Sequence, residues 1–424
     1  MKADVNLDDL SDLNLSDFIE LPDKDIFAKT KPFMEFMDNL KREQFHHWHR
    51  VAISPSEHRV KIHDIYTGEI REMVMMASNN YLGLTTHPKV VEAGRKAHDK
   101  YGAGAGSVPL LGGTLDLHRE LEERLAKFKG CEDAIIFTSG YSSNVGCVSA
   151  FVRKGDVAIN DRLNHASILD GCKLSGGQLR TFLHNDMQSL EKVLQQCDKE
   201  YNGKLVIVDG VFSMDGDITP LPDLLKIAHK YGARVMIDEA HASGVIGEHG
   251  RGTPEHFHVE GDVDIVAGTL SKALGGVGGF VASTKEVINY LRFYARSYMF
   301  STAMTPAAAG SLIAAIDVIE NEPELRERLW YNIKYMISNL RSLGFDLGRA
   351  ETAIIPVLVP DETILKQMSR DMHQAGIYVN PVYYPAVPKK QSRLRLSLMA
   401  THTQEDLDDT IGALEKIGKK YGVI

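Results

Sequence analysis

Lys272 stands directly after an apolar run in Gly268-Thr-Leu-Ser-Lys-Ala-Leu-Gly-Gly-Val-Gly-Gly279. A primary amine so placed can condense with an aldehyde to give a Schiff base. Thr269 and Ser271 just ahead of it can donate to a phosphate, and the glycines admit close approach of a flat group. A structural turn with an exposed lysine would give the same run. A second segment, Val235-Met-Ile-Asp-Glu-Ala-His241, ends another apolar run with Asp238. An aspartate there can hold a pyridinium nitrogen protonated, and His241 can reach an oxygen on the same ring. Helix capping by Asp238 and a satisfied histidine are the alternative.

Three more segments have the same form. Ser139-Gly-Tyr-Ser-Ser-Asn144 follows a strand and opens a helix, where free backbone N–H groups attract phosphate. Tyr141 could belong to the core instead. Asn164-His-Ala-Ser-Ile-Leu-Asp170 offers His165, whose ring can stack on a flat cofactor or serve a structural role. Asp209-Gly-Val-Phe-Ser-Met-Asp-Gly-Asp217 puts Ser213 beyond a further strand. Each has an ordinary structural reading by itself. Five in succession, each beyond a strand, converge on one site.

The elements that must position them are short and buried. Apolar strands are predicted at Ala134–Thr138, Val157–Asn160, Leu205–Asp209, Val235–Asp238, Ile265–Thr269 and Phe280–Ala282. Helix-length segments separate most of them, which implies a mainly parallel sheet covered on both faces. Ligands of such sheets bind beyond the carboxyl ends of the strands. Thr114 to Phe128 reads as an amphipathic helix, with Leu117, Leu121, Leu125 and Phe128 on one face and Gly130 past its end. Ahead of these lies a strand pair, Lys61–Ile65 and Glu72–Ala77, split at Thr67-Gly68. From about Leu312 a long helix opens an α+β unit with strands near Ile355–Val359 and Arg393–Leu398. The division expected is an N-terminal extension and arm (1–75), a large α/β domain (76–311) and a smaller C-terminal α+β domain (312–424).

Composition bounds the partners. The 424 residues are 43% hydrophobic and 25% charged, ordinary for a globular protein that can bury a large core. A formal charge of -9 argues against nucleic acid, whose phosphates call for clustered Lys and Arg. No stretch approaches the roughly 18 apolar residues of a membrane span. Aspartates interrupt any signal-like apolar run at the N-terminus, so a cytoplasmic location is expected. The first 25 residues carry eight acids and two lysines, and read equally as a mobile or helical extension or as solvated disorder. Cys131, Cys147, Cys172 and Cys197 are too far apart for a zinc site or disulfide framework, and reduced thiols are expected. His46, His47 and His49 cannot all face one ion on a regular helix, so no metal is expected. Gly102-Ala-Gly-Ala-Gly106 follows a helical segment and is a weak dinucleotide signal.

The order ASNNYLGL, GTLDLH, FTSGYSSNVG, NHASILDG, DGVFSMDGD, DEAHASGVIGEHGRG, GTLSKALGG and FSTAMTPA resembles the α-oxoamine synthases, from about Phe45 to the C-terminus. The C-terminal AGIYVNPVYYPAVP and RLRLSLMATHT resemble glycine C-acetyltransferase and bacterial serine palmitoyltransferase in particular. The resemblance implies fold-type I, with a mostly parallel seven-stranded sheet, and pyridoxal 5'-phosphate as cofactor. It implies Lys272 as the cofactor's attachment and the acid/base at Cα, Asp238 on the pyridine nitrogen, and His241 and Ser213 at the 3-oxygen. His165 would stack on the ring and help orient the amino acid and thioester. Ser139, Gly140, Tyr141, Thr269 and Ser271 would line the phosphate or cofactor edge. Ser301 and Thr302 match residues given to the phosphate by a second subunit, which implies a homodimer with shared sites. Arg395, assisted by Asn80, would hold the substrate carboxylate.

The reaction implied joins glycine, alanine or serine to an acyl thioester of CoA or a carrier protein, with decarboxylation. Glycine C-acetyltransferase is the alternative, and a catalytically silent partner subunit is the alternative of another class. One departure bears on the acyl group. Many relatives have an arginine shortly after the serine of Gly106-Ser-Val-Pro-Leu-Leu-Gly112, where Pro109-Leu110-Leu111 stands here.

Overall fold

The strands fall where short runs of Val, Ile, Ala and Phe are bracketed by turn residues. In chain order they are β1 (Arg59–His63), β2 (Ile70–Met75), β3 (Asp133–Phe137), β4 (Val157–Asp161), β5 (Gln178–Phe182), β6 (Lys204–Asp209), β7 (Arg234–Asp238), β8 (Ile265–Thr269), β9 (Gly279–Ser283), β10 (Ile354–Leu358), β11 (Ile377–Tyr378), β12 (Asn380–Val382) and β13 (Arg393–Ser397). They belong to a computed structural model that describes residues 13–19 and 24–424. The expectation for most of the acidic N-terminal stretch therefore falls outside the described residues. Within it, Asn14 caps a single turn at Leu15–Phe18, and Phe18 packs 5.1 Å from Phe36 on the helix Thr30–Arg42.

The main sheet has seven strands in the order β3-β9-β8-β7-β6-β4-β5. β4 to β8 run parallel, and β9 runs against both of its neighbours, β3 and β8. This is the mostly parallel α/β sheet expected. Helices Gly140–Phe151, Ala166–Ser175, Met187–Cys197 and Leu221–Lys230 make crossovers and cover its faces. Burial on both sides explains why β4 and β8 are buried at every position. In this sheet the strand the sequence did not announce is β5, an edge strand whose Gln178, Arg180 and Thr181 interrupt any apolar run; outside it, the short β11 and β12 are likewise unannounced.

The predicted helix runs from Asp116 to Lys129 and stops at Gly130, which adopts φ 68°. The helix expected from about Leu312 begins earlier, at Pro306, because proline suits the first helical turn. A second helix, Pro323–Ser342, follows it. β10, β13 and β12 form an antiparallel sheet against Glu362–Gln374 and Gln404–Lys420. The β1–β2 hairpin takes β11 as a parallel third strand, so the N-terminal arm is joined to the C-terminal part of the chain. Arg50 reinforces this junction, lying 3.5 Å over the Tyr378 ring and donating 2.8 Å to the Val379 carbonyl. His47 is buried in the same junction, 3.0 Å from Ser369 Oγ, and burial pulls its ring down to about 3. Among the described residues no helix is long and apolar enough to cross a membrane.

Candidate active site

Five segments leave the carboxyl ends of β3, β4, β6, β7 and β8 and meet around one cavity of about 240 Å³. Ser139, Gly140 and Tyr141 come from β3, His165 from β4, Ser213 from β6, Asp238 and His241 from β7, and Thr269, Ser271 and Lys272 from β8. All ten of these predicted residues line it. Asn144 and Asp209 line it too, and sequence reasoning assigned neither a role.

At its centre Lys272 Nζ lies 2.6 Å from His241 Nε2, and His241 Nδ1 lies 2.6 Å from the Tyr81 hydroxyl. Burial pulls the Lys272 amine down to about 8, against the charge of Asp238. Burial, with Lys272 and Arg395 nearby, holds His241 well below its ordinary value, so its ring is neutral. Tyr81 is buried and pushed up to about 12. Asp238 receives the Asn144 amide at 2.6 Å on one oxygen and the Ala240 N–H at 2.9 Å on the other. The same Asn144 amide lies 2.9 Å from Ser167 Oγ, which is 2.7 Å from His165 Nδ1. Asp238 and His165 are thus tied through one side chain. Burial lowers His165, leaving an uncharged ring suited to stacking. Asp209 ends the strand beside Asp238, and burial together with that carboxylate raises it well above the carboxylate range.

The other end of the cavity suits an anion. Ser139 caps the helix Gly140–Phe151, whose leading N–H groups carry partial positive charge. Thr269 Oγ1 lies 2.7 Å from Ser271 Oγ, opposite that helix start. A Cβ at Gly140 would come 2.8 Å from the Thr269 Cβ, so glycine keeps the two walls in contact. Tyr141 is half exposed and bonds Asp170 at the mouth. A buried carboxylate at one end, phosphate donors at the other and an amine between them fit pyridoxal phosphate. Lys272 would carry its aldehyde carbon, Asp238 its ring nitrogen, and Ser139, Gly140, Thr269 and Ser271 its phosphate.

Arg395 on β13 reaches the same region from the C-terminal sheet, donating 2.6 Å to the Ser213 carbonyl and 2.8 Å to Ser397 Oγ. Its asparagine partner is Asn79, at 3.3 Å, and not Asn80. Asn80 points away, its amide held by Thr85 Oγ1 at 2.7 Å and the Ser56 carbonyl at 3.0 Å. The expectation that Asn80 assists Arg395 is therefore corrected to its neighbour. Successive side chains before Tyr81 diverge, and composition alone does not tell which asparagine faces inward.

Ser301 and Thr302 do not line the Lys272 cavity of their own chain. They border a separate small cavity with Pro109, His118 and Glu122, and the Ala303 N–H donates 3.1 Å to the Ser107 carbonyl.

Comparisons with known proteins bear on the family and the fold. Residues 71–414 match the family Aminotransferase class I and II. The chain is 45% identical over 390 residues to 8-amino-7-oxononanoate synthase of Thermoanaerobacter pseudethanolicus, covering 92% of this chain and 97% of that one. Sphingomonas wittichii serine palmitoyltransferase superimposes with a TM-score of 0.89 at 35% identity, covering 94% of this chain and all of that one (100%). A serine palmitoyltransferase of S. paucimobilis, solved with a PLP–myriocin aldimine bound, gives 0.90 at 33% identity over 95% of this chain and 100% of that one.

Proposed function

Since the chain belongs to the class I and II aminotransferases, and within them to the pyridoxal-phosphate-dependent α-oxoamine synthases, we propose that it condenses glycine, alanine or serine with a fatty acyl thioester. The new bond to the acyl carbon replaces that carbon's bond to sulfur, so the thiol is released; the amino acid's carboxylate leaves as carbon dioxide, and the product is an α-aminoketone. The observation that carries this reading is Lys272 beside His241, with Asp238 below and Arg395 one loop away. An amine site and a guanidinium bonded to the Ser213 loop that lines the same cavity suit a substrate that presents an amine and a carboxylate together.

Pyridoxal phosphate, when bound, supplies an electron sink for negative charge at the amino acid's α-carbon. The side chains do the rest. Lys272, held near 8, is a base that is partly neutral at physiological pH, able to take the α-proton and return it. Asp238, itself fixed by Asn144, would keep the proton on the ring nitrogen. His165 would stack on the cofactor ring, and Arg395, oriented by Asn79 and the Ser213 carbonyl, would bind the substrate carboxylate.

The acyl preference rests on residues 107–113. Leu110 is 38% and Leu111 84% exposed, on the segment whose Ser107 carbonyl accepts the Ala303 N–H. In our reading a second copy of the chain completes each site with Ser301 and Thr302, and Leu110 and Leu111 come with them to the acyl entrance. Apolar surface there favours an unsubstituted chain, each buried CH₂ being worth about 0.8 kcal/mol. The 45% identity to an enzyme named for 8-amino-7-oxononanoate favours a second reading, an acyl group that ends in a carboxylate. Specificity constants for acetyl-, palmitoyl-, succinyl- and pimeloyl-CoA, each with glycine, L-alanine and L-serine, decide between them. Palmitoyl-CoA is expected to lead. A preference for succinyl- or pimeloyl-CoA, or no gain over acetyl-CoA, overturns the fatty-acyl reading.

A further inference from the structure

Outside the cavity, His184 sits between two buried carboxylates. Its Nδ1 lies 3.1 Å from Asp161 Oδ1 and its Nε2 lies 2.9 Å from Asp217 Oδ2. The two aspartate side chains are 0% and 4% exposed. Carboxylates only accept hydrogen bonds, so a neutral imidazole, with one N–H, could satisfy one of them. Serving both requires the doubly protonated cation. Burial opposes that charge, yet the hydrogen bonds and charges of Asp161 and Asp217 lift the ring to about 9. Those two carboxylates, one from β4 and one from the loop after β6, are the ionisable groups that face the ring.

Each belongs to a segment that delivers a side chain to the Lys272 cavity. Asp161 ends β4, receives the Leu163 N–H at 2.8 Å and the Asn185 N–H at 2.9 Å, and begins the turn that leads to His165. Asp217 closes the loop after β6: its carbonyl accepts the Phe212 N–H at 3.1 Å, and Val211 bridges Ile218. Ser213 lies inside that loop, and its carbonyl orients Arg395 at 2.6 Å. The Phe212 ring meets His184 edge-on at 4.4 Å. His184 itself does not line the cavity.

We propose that His184 is a positioning residue, a cationic clamp that fixes the Ser213 loop against the His165 turn and so sets two walls of the cavity and the aim of Arg395. This rests on the reading of the cavity as the cofactor and amino-acid site. The clamp has a defined pH range. A group whose folded value is raised contributes fully below its unfolded value of about 6.5 and loses that contribution as pH rises to about 9.

The test compares the wild-type and His184→Gln holoenzymes. The dissociation constants of glycine, L-alanine and L-serine are read from the visible absorbance of the bound cofactor, and cofactor orientation from its visible circular dichroism. Near pH 6.5 the variant should bind the amino acids roughly tenfold more weakly and show a reduced dichroic band. The gap between the two proteins should close as pH approaches about 9, where the wild-type ring also loses its proton. A merely structural histidine would give a gap that does not change with pH. That result, or no gap at all, overturns the proposal. Asp217→Asn keeps the imidazole and removes one of its anions, so its ring loses the proton at lower pH than the wild type; its gap should be smaller near pH 6.5, widen as pH rises and close again as pH approaches about 9, and it carries the same test should the glutamine variant not fold. These measurements involve no acyl thioester, so they stand or fall separately from the acyl preference.

Discussion

Lys272 and His241 leave adjacent parallel strands, β8 and β7, and their nitrogens meet 2.6 Å apart. A neutral imidazole can share one hydrogen with an amine but cannot stabilise an ammonium as a carboxylate would. Burial favours the reactive, uncharged form of the lysine, bringing it down to about 8 against the charge of Asp238, and His241 adds no anion to oppose that.

Only that form attacks an aldehyde. Capture of pyridoxal phosphate by the apoprotein should accelerate as pH rises and level off above about 8, where an ordinary lysine would go on rising toward 10.5. Borohydride should then fix the cofactor on Lys272. Stopped-flow absorbance and peptide mapping check the two parts, and a label on another lysine would falsify the assignment.

Asp238→Asn should retain cofactor while slowing exchange of the amino acid's α-proton with solvent by roughly 10²–10³-fold. The amide carries no charge to hold the ring nitrogen's proton. It also sets one amide against another at the Asn144 contact. Deuterium incorporation followed by NMR measures the rate, and exchange at the wild-type rate would remove Asp238 from this role.

The two asparagines should behave differently. Arg395→Ala should weaken amino-acid binding roughly tenfold to a hundredfold, the worth of a charge-assisted contact to a carboxylate, and leave cofactor affinity intact. Asn79→Ala should share the phenotype in milder form. Asn80→Ala should instead cost stability, about 1–3 kcal/mol for stranding the Ser56 and Thr85 partners of a buried amide, with amino-acid affinity kept. Titration calorimetry paired with denaturant unfolding separates the two effects.

If the site is shared across a dimer, Lys272→Ala and Thr302→Ala proteins are each inactive, yet subunit exchange between them should recover activity. The heterodimer combines the intact Lys272 of one chain with the intact Thr302 of the other. Activity that stays absent after exchange has been proven by differential tagging would place the whole site within one chain.

Much of this site could be read from residues because it is built at strand ends. A buried parallel strand must be apolar along its length, so Asp209, Asp238 and Thr269 stand out where β6, β7 and β8 stop. The sequence is silent where that contrast is lacking. β5 lies at the sheet edge and mixes exposed and buried positions, so no apolar run marks it. Asn79 and Asn80 are chemically identical, and only the fold around Ser56 and Thr85 decides which one faces Arg395. Tyr81 reads as an ordinary core aromatic until its hydroxyl is seen against His241. His184 lies far in sequence from both Asp161 and Asp217, and nothing in its neighbours signals the cation.

The parallel pairing of β2 with β11 also bears on how the chain is made. Val74 finds its partner at Ile377, so during synthesis the outer edge of the β1–β2 hairpin waits until all seven strands of the main sheet have emerged. Until then Val60, Ile62, Met73 and Met75, which pack with Met399 in the finished protein, lack that covering. An uncovered apolar hairpin with a free edge is prone to wrong partners. On a ribosome β1 and β2 emerge before every strand of the main sheet, yet the unit they begin is closed only after all of those strands have followed.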